Sequence, residues 1–109
     1  MTNENTALQA YLERPLPDLM SELALYDETT RSPADTWQKI AGPVRQRICV
    51  EWNWCEIRQD PRLENDYELG VAILIVLTTR VLHLPLDVDL TLIAAILVKR
   101  GLDAFCGCP

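Results

Sequence analysis

The sequence predicts an all-α fold, a compact bundle of about five to six short helices in one domain. Three observations predict it. Capping residues and prolines recur at the spacing of short helices. Apolar side chains repeat every three to four positions through most segments. No hairpin dipeptide such as Asn-Gly separates two apolar runs.

Taken in order, residues 5–14 put Leu8, Tyr11 and Leu12 on one face and stop before Pro15. Pro17 and Asp18 suit the first turn of a second helix, whose stripe is Leu19, Leu23 and Tyr26 with Met20 beside it. Ser32, Pro33 and Asp35 form a clear start signal for a third, short helix that is expected to end by Gly42. Pro43 is then expected to open a fourth, continuous helix through Gln59, closed by Asp60-Pro61. Asn65 with Glu68 three residues later starts a fifth, 66–83, apolar nearly all round and therefore expected to be fully buried. Asp87 or Asp89 caps the last helix, which carries Leu90, Ile93, Ala94 and Leu97 on one face and stops at Gly101, with one further turn at Leu102 and Phe105.

A competing α+β reading places strands in 71–77 and 82–92. "VAILIV" is rich in β-branched residues, and "LHLPLDVDLTL" alternates with a period of two. Pro85 argues against a central strand there, leaving "LPLDVD" as an extended connector. In number and length the elements resemble six-helix interaction bundles, the death-fold class among them. The resemblance is one of gross pattern. The single domain is expected to span 1–109, with flexible ends at about 1–5 and 106–109.

Composition narrows the function. The chain of 109 residues has sixteen acidic and ten basic side chains, a net charge of −6. Such a surface repels a phosphate backbone, and Arg45/Arg47 and Lys99-Arg100 are the only local basic pairs. Nucleic acid is therefore not an expected partner. The longest uncharged apolar run, 69–79, is well short of the ~20 residues that cross a bilayer. No secretory leader is visible, so the four cysteines are expected as reduced thiols in the cytoplasm.

The cysteines invite a metal reading that their spacing opposes. On a regular helix Cys49 and Cys55 point about 120° apart, and structural zinc sites favour Cys-x2–4-Cys pairs over the Cys-x5-Cys and Cys-x-Cys seen here. Cys106 and Cys108 read as an exposed, dispensable tail. "CGCP" lacks the aliphatic residues of a prenylation signal. No phosphate loop, His-Glu-x-x-His motif or nucleophile elbow is present, and His83 is the only histidine. No catalytic, cofactor-binding or metal residue is assigned. Across a continuous helix 43–59, Trp52 shares a face with Ile48 and Cys55 and is expected to be the deeper indole. Trp54 falls about 160° away. Trp54 and Arg58 are the candidate partner surface.

The sequence thus favours a small cytosolic protein-interaction or regulatory module, an adaptor, signalling accessory or acidic inhibitor without catalysis of its own. Its partner is another protein, with self-association a further option. One alternative is a membrane-active or peripheral protein that opens an apolar hairpin, 66–100, toward lipid. Another is a cysteine-based metal or redox protein.

Overall fold

In the computed structural model, which describes residues 3–109, the fold is all-α. Seven α-helices follow one another: α1 (Asn3–Leu12), α2 (Leu16–Ala24), α3 (Pro33–Arg45), α4 (Trp54–Ile57), α5 (Asp66–Thr78), α6 (Leu90–Arg100) and α7 (Leu102–Cys106). A π-helical turn (Gln46–Glu51) joins α3 to α4, and a 3-10 turn (Pro61–Leu63) precedes α5. The strands considered for 71–77 and 82–92 do not form. The first segment lies within α5, and the second is an extended connector that enters α6 at Leu90. The flexible stretch expected at 1–5 lies partly outside the described residues; from Asn3 onward the backbone belongs to α1.

The start signals act as their chemistry dictates. Ser32 Oγ accepts from the Asp35 amide at 3.3 Å. Asn65 Oδ1 accepts from the Glu68 amide at 3.0 Å. Asp89, rather than Asp87, caps α6, its carboxylate accepting from the Thr91 amide at 2.9 Å. Gly101 ends α6 at a φ of 90°, which a side chain would disfavour.

The core is centred on α6, not on α5 as its composition suggested. Every residue from Thr91 to Leu97 is buried, and α6 packs against α1, α2, α5 and α7. Only half of α5 faces inward, through Gly70, Ile73, Leu74 and Leu77. At Gly70 a Cβ would stand 3.1 Å from the Leu8 side chain, so glycine sets how closely α1 and α5 approach.

Two departures from the expected helices shape the rest. Gly42-Pro43 does not break the third helix; α3 runs through both to Arg45. Its end widens into the π turn, which stops at Trp52, and Asn53 takes the left-handed conformation (φ 59°, ψ 53°) before α4 begins. The continuous helix expected over 43–59 is therefore three pieces. Asparagine tolerates that conformation better than most residues, so the break sits at Asn53.

The π turn carries Arg47 into the interior, where it is only 8% exposed. Its guanidinium donates to the carbonyls of Val76, Leu77, Arg80 and Val81 at 3.1–3.3 Å. The first two lie in the last turn of α5 and the other two just beyond it. Nε makes no hydrogen bond and lies 3.3 Å from Glu51 Oε1 in an ion pair. Thr78 and Thr79 turn their hydroxyls back onto the Leu74 and Ile75 carbonyls. Together they stop α5 at Thr78, short of the expected 83.

A second buried charge fixes the α2–α3 connection. Asp27, 4% exposed, accepts from Lys39 Nζ at 2.7 Å and from the Thr29 amide and hydroxyl at 2.9 and 2.6 Å. The Lys39 bond first, then the two Thr29 bonds, hold its pKa at about 2, below the usual 3.8.

Two predictions follow from these charges. Arg47→Met should lower unfolding free energy in urea by about 2–4 kcal/mol, because four carbonyls lose their donor. Arg47→Lys should recover only part of it, since one ammonium cannot span that fork. Asp27, with its folded pKa depressed, contributes stability that is complete above about pH 4 and is lost as pH falls through 2. Melting temperatures of Asp27→Asn between pH 7 and 2 should therefore start lower and fall less steeply than those of the unaltered chain.

Candidate functional site

The segment 46–63 wraps across one side of α5, and its construction begins with the cysteines. All four are paired, Cys49 with Cys106 and Cys55 with Cys108, each with Cα atoms 5.4 Å apart. This corrects the expectation of reduced thiols, and it ties the tail, expected to be flexible and dispensable at 106–109, to the 49–55 segment. The physical reason is the broken helix. A regular helix would aim Cys49 and Cys55 about 120° apart, whereas the π turn and the left-handed Asn53 bring both onto the side facing α7. Gly107, left-handed at φ 68°, then turns Cys108 to its partner.

The tail is anchored beyond its disulfides. Leu102 is buried. Phe105 meets Trp37 edge-on at 5.7 Å and lies under the Arg45 guanidinium at 4.5 Å. Arg58 pairs with Asp103 at 3.2 Å and donates to the Pro109 carbonyl at 2.9 Å.

The tryptophans exchange their expected roles. Trp54 is the deeper, 6% exposed, and its indole N–H donates to Asp103 at 2.9 Å. Of the two candidate surface residues, Trp54 and Arg58, the first is sealed beneath α7 and the second is half-buried on the chain's own tail. Trp52 lies half-buried. The rings are 5.6 Å apart rather than on opposite sides, because Asn53 reverses the local chain direction.

Trp52 is the floor shared by two adjoining depressions along α5. The larger, about 480 Å³, runs between Trp52, Ile57 and Leu63 on one bank and Val71, Ala72 and Ile75 of α5 on the other. Its polar rim is Asp60, Arg62 and Glu68. The smaller, about 210 Å³, continues past Val76 and Thr79 to Arg47, Glu51 and Arg80. Ile75 stands 60% exposed between them. On the outer face of α5, Ile75 is thus an exposed apolar side chain flanked by the half-buried Val71, Ala72 and Val76.

Charge is arranged along this groove. Asp60 pairs with Arg62 at 2.7 Å, and that guanidinium draws the Asp60 pKa below its usual value. Glu68 has no basic partner among the described residues. At the far end Glu51 is shared by Arg47 and Arg80. One end therefore carries a surplus negative charge and the other a surplus positive one.

Sequence reasoning missed Trp52, Ile75 and Arg47. A signal for Arg47 existed: it lies between Val44 and Ile48 on an apolar stripe, where a lone charge must find a buried partner. For Ile75 there was none, since an all-apolar helix does not say which face stays uncovered. No protein-family model, curated protein or solved structure matches the chain. Among the described residues no helix is long and apolar enough to cross a membrane.

The two disulfides close loops of 57 and 53 residues. A loop of that length corresponds to about 4 kcal/mol for the first bond formed and less for the second, which constrains much of the same chain. Reduction by a phosphine, or the pair Cys106→Ser with Cys108→Ser, should lower the melting temperature by at least about 10 °C. A change of a degree or two in calorimetry would show the tail to be as dispensable as its sequence suggested.

Proposed function

We propose that this chain is a small protein-interaction module without catalysis of its own, and that its partner docks on the groove between Trp52 and α5. One observation carries the reading: Ile75 stands exposed on α5, with half-buried Val71 and Ala72 beside it, facing a half-buried tryptophan within a polar rim. Binding surfaces combine these features, an apolar centre with an aromatic anchor and charged edges. The perturbed groups have structural causes, burial first for Tyr11 and a basic neighbour first for Glu22, Asp27 and Asp60, so none calls for a catalytic role.

The alternatives fare less well on physical grounds. Opening a 66–100 hairpin toward lipid would pull α6 out of the core, exposing seven consecutive buried residues. A metal site needs free thiolates, and the four cysteines are bonded to one another. Such bonds persist in oxidising surroundings, which favours that setting over the cytoplasm expected from sequence. The staples also hold both sides of Trp52, so they keep one bank of the groove in place.

The test compares three proteins in native capture from the host: the unaltered chain, Ile75→Glu, and Leu25→Glu as a control at a site 81% exposed and away from the groove. All three should melt alike. The partner should be retained by the unaltered chain and by Leu25→Glu and lost by Ile75→Glu. Equal capture by Ile75→Glu would rule the groove out.

A further inference from the structure

The outer face of α5 has a symmetry of its own. Glu68, Ala72, Ile75 and Thr79 are spaced by four, three and four residues, which aligns them in one seam opposite the buried Gly70, Ile73, Leu74 and Leu77. Rotation by 180° about a point midway between Ile73 and Leu74 exchanges Ala72 with Ile75 and Glu68 with Thr79. We infer that the groove's occupant is a second copy of this chain, docked with the two α5 helices antiparallel about that twofold axis. The inference rests on reading the groove as an interaction surface and names the partner it takes.

Three features fit this occupant. The first is size. Each Ile75 projects from the surface, and opposite it stands the partner copy's smallest seam side chain, Ala72, on the bank of the 480 Å³ groove. Large faces small on both sides of the axis, as close helix packing requires. The second is charge. The antiparallel arrangement sets the unpartnered Glu68 of each copy against the end of the other where Arg47 and Arg80 outnumber Glu51. A parallel arrangement would set like ends together. The third is the helix dipole, since antiparallel neighbours place each positive N-terminus beside a negative C-terminus. A twofold contact uses the same patch twice, so a face that complements itself is what it needs.

Sedimentation velocity over a concentration series tests this on the intact, oxidised chain. The unaltered protein should sediment as a dimer at about 100 µM, and Ile75→Glu, which sets a carboxylate into each half of the apolar seam, as a monomer with an unchanged helical spectrum. Charge changes report the direction. Thr79→Glu sets a carboxylate opposite Glu68 of the other copy at two symmetric places and should weaken the dimer about tenfold; Thr79→Lys should tighten it by a similar factor. Adding Glu68→Lys to Thr79→Glu should restore the affinity. Rescue by the double change supports the antiparallel dimer, and its absence overturns the arrangement. A chain that stays monomeric throughout overturns the second copy as occupant. If Ile75→Glu still abolishes capture of another protein, the groove reading survives that result; if it does not, both readings fall.

Discussion

The whole structure turns on one buried guanidinium. Arg47 arrives on a π turn and closes the end of α5 by donating to four carbonyls from residues 76–81. Without such a donor those carbonyls would have to reach water, and α5 would have reason to fray. With it, the end of α5 is fixed against the segment that also carries Cys49 and Trp52. The same side chain, together with Arg80, holds Glu51 and so sets the charge at one end of the groove. Helix termination and groove electrostatics therefore share one residue.

The uncovered face of α5 follows from how the core is filled. α6 is short, apolar and flanked by four helices, so it takes the central position. α5 is left as a peripheral helix with one face on α1 and α6. A peripheral helix in an isolated domain would ordinarily turn polar residues outward. Here Ile75 points that way instead, with Val71, Ala72 and Val76 half-buried beside it. The mismatch between position and composition is the physical ground for reading this face as one that meets another surface.

Much of the fold is legible in the sequence, and the failures have local causes. The caps at Ser32, Asn65 and Asp89 and the stop at Gly101 were readable because capping depends on residues three or four positions apart. The interval 43–59 was not. Pro43, expected to open a helix, sits inside one that continues, and Asn53, for which the sequence predicts no role, breaks the helix expected to be continuous. Whether a proline kinks, starts or merely rides within a helix is decided by what packs around it. The site inherited that error. With a regular helix assumed, Cys49 and Cys55 diverge, the disulfides become geometrically remote and the two indoles separate onto opposite faces. One left-handed residue reverses all three conclusions.

The disulfides join these strands of argument. Each links the 49–55 segment to the tail. The bank that bears Trp52 is therefore held from behind, by α7, while its front remains open to the groove. A short segment containing a π turn, a left-handed residue and a four-residue helix has little cooperative stability of its own. Fixed at both ends by covalent bonds and from within by Arg47, it loses little further freedom when a partner settles against it, and a surface ordered in advance binds at lower entropic cost. What keeps the indole and Ile57 opposite Ala72 and Ile75 is thus a set of contacts on the far side of the segment. Under the proposed function, the exposed Ile75 is the residue left to meet whatever covers this face.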